Sequence, residues 1–165
     1  MVKRLMAELL KTYPHLTGTV FDVPRLAEAA RQTIEAAQLT ARCQFLGGNA
    51  FEAVPAGGDA YLLSNFVISW GDDEALVPLR NCRKAPHGKL VLVEWVMPTG
   101  DESKDGFRFW DTVTMDLIML AAFGSRSGYV RTRSEFQTLL GAAGFTQTAV
   151  IPTHSTVCVI EALPV

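Results

Sequence analysis

Three features of this 165-residue sequence predict an α/β fold built on a mainly parallel sheet. First, segments with helical periodicity alternate with short apolar runs of strand composition, as expected when crossover helices cover both faces of a sheet. Second, the run from Asp59 to Ser64 (DAYLLS) has the apolar character of a strand buried on both faces. It breaks into Ser64, Asn65 and Ser69, small polar groups just past its carboxyl end, where ligands bind in open α/β sheets. Third, residues 146–151 and 156–161 are two strand-like segments joined by a short Pro-containing turn, which reads as a closing antiparallel pair.

The composition is ordinary for a globular chain, 48% apolar and 19% charged, and residues 1–165 suffice for one domain with a proper core. The net charge of −2 offers no attraction to nucleic acid or an anionic membrane, and neither is expected as a partner. Cys43, Cys82 and Cys158 are odd in number and lack C-x-x-C spacing. They read as reduced thiols in a cytoplasmic protein rather than as disulfides or zinc ligands. The longest apolar run, Leu117–Phe123, is far too short to span a bilayer. Residues 1–11 (MVKRLMAELLK) begin like a secretory leader, but Glu8 and Lys11 interrupt the apolar stretch and no small-residue cleavage site follows.

In chain order, Leu5/Leu9 and Met6/Leu10 are i, i+4 pairs, so residues 2–12 are expected to be helical, ending at Tyr13-Pro14. Gly18–Asp22 reads as a short strand. Pro24 suits the first turn of a helix over 24–38 with Leu26, Ala30, Ile34 and Ala37 inward. Cys43–Leu46 is a further strand, followed by Gly47, Gly48 and Asn49. A helix is expected from about Asp72 to Lys84, with Pro78 kinking it or delaying its start. Residues 86–88 read as a turn, Lys89–Val96 (KLVLVEWV) as the most strand-like segment, and Thr99–Asp105 as a polar loop. Phe107–Phe123 reads as a long apolar helix followed by a flexible loop at 124–128. Thr132 and Glu135 form a capping box for a helix with Phe136, Leu139, Leu140 and Ala143 inward, closed by Gly144.

Few residues carry chemistry on their own. His15, His87 and His154 read as surface residues in turns or loops. Asp72, Asp73 and Glu74 suggest either a cation site or a helix start, and acidic residues in a first helical turn are favoured by the dipole. Glu94 ends a strand before Trp95, where a buried carboxylate needs a partner.

The segments LLKTYPHLTGTVFDVP (9–24), GGNAFEAVP (47–55), DAYLLSNFVISWGDDEALVPLRNC (59–82), GKLVLVEWVMP (88–98), VRTRSEFQTLLGAAGF (130–145) and STVCVIEA (155–162) fall in one order. That order resembles the catalytic domain of S-adenosylmethionine-dependent O-methyltransferases of the plant caffeate type and the bacterial polyketide and anthracycline type. The resemblance implies a Rossmann-like class I methyltransferase fold. It also implies S-adenosyl-L-methionine as cofactor and methyl transfer to a hydroxyl of a small aromatic or polyketide-like acceptor in secondary metabolism. It implies that Asp22 holds the ribose hydroxyls, the alternative being a helix N-cap before Pro24. Asn49 stands where the family has an Asp facing the adenine amino group, the alternative being a plain turn. Ala50 and Phe51 would lie along the adenine, with Phe51 equally readable as core, and Ser64 would join the cofactor set.

For catalysis, Glu94 matches one of two Glu residues that orient the family's His. That His corresponds to Ile68, which cannot take a proton, and the second Glu corresponds to Val130. Some anthracycline-type members share this pattern. Ile68, Trp70, Trp110, Met115 and Met119 would line the acceptor pocket, although an ordinary core helix explains the last three as well. The family's glycine-rich loop and dimerisation domain lie upstream of the matched segments. The resemblance therefore implies an N-terminally incomplete domain with weak cofactor binding. It also implies that the strands ending at Asp22 and Ser64 need a neighbour, supplied by a second copy or by an upstream segment. The rival expectation is a repurposed or degenerate member that binds cofactor or a partner chain without transferring methyl.

Overall fold

The computed structural model describes residues 2–84, 88–100, 106–124 and 128–165. Its contacts divide the chain into two compact units, Met1–Pro55 and Ala56–Val165.

In the first unit, helix α1 (Val2–Thr12) is followed by strand β1 (Gly18–Asp22). A short 3₁₀ turn (Pro24–Leu26), helix α2 (Ala27–Ala36) and strand β2 (Cys43–Gly47) complete it. The two strands run parallel, Gly18 opposite Cys43 and Asp22 opposite Gly47. Ala7 and Leu10 of α1, Val20 of β1, Ala30 and Ile34 of α2, and Leu39 and Cys43 form one buried cluster. The i, i+3 spacing of Ala7 and Leu10 and the i, i+4 spacing of Ala30 and Ile34 put these side chains on one stripe of each helix, and burying that stripe stabilises two helices too short to persist alone. Arg42 ties the loops together by donating to the carbonyls of Leu16 and Leu10 at 3.0 and 2.9 Å. Leu26 departs from the expected helix face, being 38% exposed. Pro24 starts a tighter 3₁₀ turn rather than the α-helix itself, and the change of period takes Leu26 off the apolar stripe.

The second unit is a four-stranded sheet in the order β3-β4-β6-β5. Strand β3 (Ala60–Ser64) pairs in parallel with β4 (Lys89–Trp95). Strand β6 (Val157–Pro164) pairs antiparallel with both β4 and β5 (Phe145–Pro152), as the closing hairpin predicts. Helix α3 (Asp72–Lys84) begins where expected and continues through Pro78, so its start is not delayed. Helix α4 spans Gly106–Phe123, and α5 (Arg133–Ala142) opens on the full capping box of Thr132 and Glu135. Leu79, Leu90, Leu92, Phe136, Leu140, Phe145, Ile160 and Ala162 are buried in its core. Gly144, at φ +87°, turns the chain from α5 into β5.

Strand β3 is less buried than its composition predicts: Ala60 is exposed, Tyr61 to Leu63 are half-buried, and only Ser64 is buried. Among the described residues it is an edge strand, paired on one side alone, so its apolar residues lack the second neighbour that a central strand has. β4 alternates strictly, with Leu90, Leu92 and Glu94 on the buried face. The three cysteines are free and buried, and burial pushes the Cys82 thiol up to about 12. Among the described residues no helix is long and apolar enough to cross a membrane. The turn expected at 86–88 and the loops at 99–105 and 124–128 fall wholly or partly outside the described residues.

Candidate functional site

The chain leaves β3 through a sharp turn. Asn65 takes φ +47°, a left-handed conformation that Asn tolerates better than most residues, and its amide donates to Val93 O at 2.9 Å. Phe66 follows, then a single 3₁₀ turn (Val67–Ser69) and Trp70. Val67 and Ile68 are buried, while Ser69 and Trp70 are half-buried. Glu94 belongs to the buried face of the neighbouring strand, and its Oε1 accepts from the amides of Phe66 and Val67, each at 2.7 Å. The side chain is fully buried, and Oε2 has no hydrogen-bond partner among the described residues. Burial raises the carboxyl to about 7, opposed by the backbone amides and by the positive charge of Arg131.

Arg131 reaches the same turn from the opposite direction. Only 1% exposed, it donates from Nη1 to Val67 O at 3.1 Å and from Nη2 to Trp70 O at 2.8 Å. Nε and Nη2 also donate to Asp72 Oδ1 at 2.9 and 2.7 Å, and the guanidinium lies 4.3 Å from the centroid of the Tyr129 ring. The segment bearing Arg131 is itself pinned. The Tyr129 hydroxyl donates to Asp72, the Val130 amide donates to Asp116 Oδ1, and the Met97 amide donates to Arg131 O. Gly128 packs so closely on the turn that a Cβ there would sit 2.5 Å from Ile68 O. Asp72, Asp73 and Glu74 occupy the first turn of α3, where Asp72 pairs with Arg131 and Glu74 accepts from the Gly71 amide.

In the first unit, Asp22 stands half-buried at the carboxyl end of β1, and its Oδ1 accepts from the Val23 amide at 2.8 Å. The Gly48 amide donates to Asp22 O, which brings the turn after β2 to that strand end. Gly48 packs against Phe21 there: a Cβ would lie 2.4 Å from the ring, so a larger residue would have to displace it. Asn49 Oδ1 accepts from the Phe51 amide and its Nδ2 donates to Glu52, so both groups of this side chain are engaged within the turn.

The O-methyltransferase domain model matches residues 4–146. The chain belongs to the O-methyltransferase family. This O-methyltransferase-family chain is 40% identical to the phenazine O-methyltransferase PhzM of Lysobacter antibioticus, over 98% of its own length and 45% of the relative's. It is 36% identical to the aclacinomycin 10-hydroxylase RdmB of Streptomyces purpurascens, over 85% of its length and 36% of that relative. Among solved structures it superposes with a TM-score of 0.83 on NcsB1, an O-methyltransferase of neocarzinostatin biosynthesis solved with S-adenosylmethionine and 2-hydroxy-5-methyl naphthoic acid. That match is at 31% identity and covers 98% of this chain and 46% of that one. The chain spans about half the length of the curated relatives it matches. The fold is the class I methyltransferase type, mixed α/β with an antiparallel C-terminal strand.

The structure brings Glu94, Ile68 and Val130 of this O-methyltransferase-family chain into one buried region: Glu94 bonds the turn bearing Ile68, and Val130 adjoins Arg131, which bonds the same turn. Ser64 is buried at the carboxyl end of β3, and Trp70 is half-buried. Met115 and Met119 are half-buried on α4, whereas Trp110 is 67% exposed and not enclosed by the described residues. His15 and His154 are exposed, and His87 lies outside the described residues. Sequence reasoning missed Arg131, Tyr129 and Asp116. The only local signal was an Arg between a buried Val and a capping box, and its partner Asp72 stands 59 residues away. A groove of about 650 Å³ between α1 and α2, lined by Lys3, Arg4, Lys11, Gln32 and Thr33 among others, shares no residue with these groups.

Proposed function

We propose that this chain is a catalytic portion of an S-adenosylmethionine-dependent O-methyltransferase that methylates a hydroxyl of a small aromatic or polyketide-like acceptor. Family membership and the relatives' names support the class of reaction. The observation that carries the cofactor reading is Asp22, a half-buried carboxylate at a parallel strand's carboxyl end with one oxygen on the Val23 amide. An ionised carboxylate so placed suits a pair of ribose hydroxyls. Asn49 fits the adenine edge less well, because its side chain is spent on its own turn. In this reading the neighbouring Ala50 and Phe51 carry the adenine contact, and Ser64 is a further cofactor residue.

The bound cofactor supplies an electrophilic methyl on a sulfonium. This chain's residues would orient the acceptor rather than deprotonate it, since Ile68 has no proton-accepting group. An acceptor with an acidic phenol suits that arrangement. Isothermal titration of the chain with S-adenosylmethionine and with its demethylated product tests the reading. Saturable binding is expected, with loss in Asp22→Ala. A parent chain that binds neither ligand would overturn the reading.

A second reading, cofactor binding turned to other chemistry, is favoured by one observation. The aclacinomycin relative, also matched over most of this chain, is named a hydroxylase. Incubating the chain with S-adenosylmethionine and a panel of phenols separates the two, because only the first reading yields the demethylated cofactor in proportion to methylated phenol.

A further inference from the structure

We propose that Arg131 is a positioning residue that, together with Glu94, clamps residues 66–70 from both ends and so sets the places of Ile68 and Trp70. The statement that this turn faces the acceptor rests on the function proposed above; the clamp itself rests on geometry alone.

A one-turn 3₁₀ segment has too few internal hydrogen bonds to hold its own shape. Here the external bonds are divided by chemistry. Glu94, an acceptor, takes the two amides at the start of the turn, Phe66 and Val67. Arg131, a donor, takes two carbonyls, Val67 O and Trp70 O at the end. Val67 is therefore held on both its N–H and its C=O, by an acceptor side chain on one side and a donor side chain on the other. Asp72 Oδ1, with two bonds from Arg131, and the Tyr129 ring fix the guanidinium plane, so the fork is oriented before it meets the turn. Gly128 allows the backbone of the Arg131 segment to approach Ile68 and Ser69 at a distance no side chain permits.

Covering a turn does not require a buried cation. Desolvating one is costly, and an apolar side chain of similar volume often does as well for stability. What an apolar residue cannot do is hold two carbonyls and a carboxylate at fixed angles. The placement of Arg131 therefore points to geometry of the turn rather than to bulk stability.

Hydrogen exchange and fluorescence on the full chain test this without needing an identified acceptor. Arg131→Met is expected to speed exchange of the 66–70 amides at least tenfold while amides of β4 and β6 keep their rates. In a Trp95→Phe, Trp110→Phe background, the anisotropy of Trp70 emission is expected to fall. Arg131→Lys keeps the charge without the fork and is expected to resemble Met. Full restoration of exchange and anisotropy by Lys would overturn the proposal, as would unchanged 66–70 exchange in the Met variant. If Arg131→Met does not fold, Asp72→Ala, which removes the oxygen that accepts from Nε and Nη2 and leaves Arg131 in place, is expected to raise 66–70 exchange severalfold, and no change there would overturn it. A parent chain that fails to bind S-adenosylmethionine would undo the functional reading of the turn while leaving the exchange result to decide the clamp.

Discussion

Glu94 Oε1 accepts the amide of Val67 at 2.7 Å across 27 residues of sequence, while the other oxygen of the same carboxyl has no partner among the described residues. The carboxyl is buried where β4 meets the turn after β3, and that burial governs how the chain should respond to pH.

Burial raises the folded pKa of Glu94 from 4.5 to about 7. Between those values the folded chain keeps a proton that the unfolded chain has released, so stability should fall as pH rises through the window. The loss is about 3 kcal/mol over the whole range. Glu94→Gln retains an acceptor for both amides and cannot ionise. Urea unfolding at pH 5 and pH 8 should show the parent losing more stability than the variant, and equal losses would refute this account of Glu94.

Gly128, at φ +33°, lies against Ile68 O and the Ser69 backbone. Gly128→Ala should displace the turn and cost about 1–3 kcal/mol through overpacking. A denaturation midpoint unchanged within error would show that the close approach is not needed.

Asp22→Ala should abolish calorimetrically detectable binding of S-adenosylmethionine while leaving the thermal midpoint nearly unchanged, since the carboxylate is half-buried and its bond is to the adjacent Val23 amide. Retained affinity would move the cofactor site elsewhere.

With Ile68 and Val130 buried and His15 and His154 exposed, no imidazole stands beside the proposed acceptor turn among the described residues. Methyl transfer to a phenol should therefore show no pH–rate inflection traceable to a His. An inflection near neutrality that vanishes in His154→Ala would identify a base supplied from that loop.

Among the described residues, strand β3 pairs only with β4, and β1 only with β2. Its AYLLS sequence carries neither Lys nor Pro to blunt the open edge of β3. Light scattering after size exclusion should find the pure 165-residue chain associated. A cooperatively unfolding monomer would show that neither edge requires a partner chain.

Much of the fold was legible in residues that speak to near neighbours. The pairs Leu5/Leu9 and Met6/Leu10 marked α1, Thr132 and Glu135 marked the start of α5, and the alternation of KLVLVEW put Glu94 on the same face as Leu90 and Leu92. The candidate site was legible only in part. Glu94 stood out because a carboxylate interrupts a buried face. Arg131 did not, since a charged residue beside a helix start ordinarily points to solvent. Leu26 was misplaced because a Pro-led 3₁₀ turn and an α-helix share a sequence signature, and β3 was misjudged because composition does not reveal how many neighbours a strand has.

The sequence by itself determined the order of helices and strands, the caps, the apolar faces and the family, because each rests on residue types repeated within a few positions or matched along the chain. Only the tertiary structure decided that Arg131 meets Asp72 and Val67 and that one oxygen of Glu94 finds no partner among the described residues. The protonation of a buried carboxyl and the placing of a buried guanidinium depend on groups tens of residues away. The energy of a desolvated charge is set by whatever the fold places around it, and no local pattern in the chain records that.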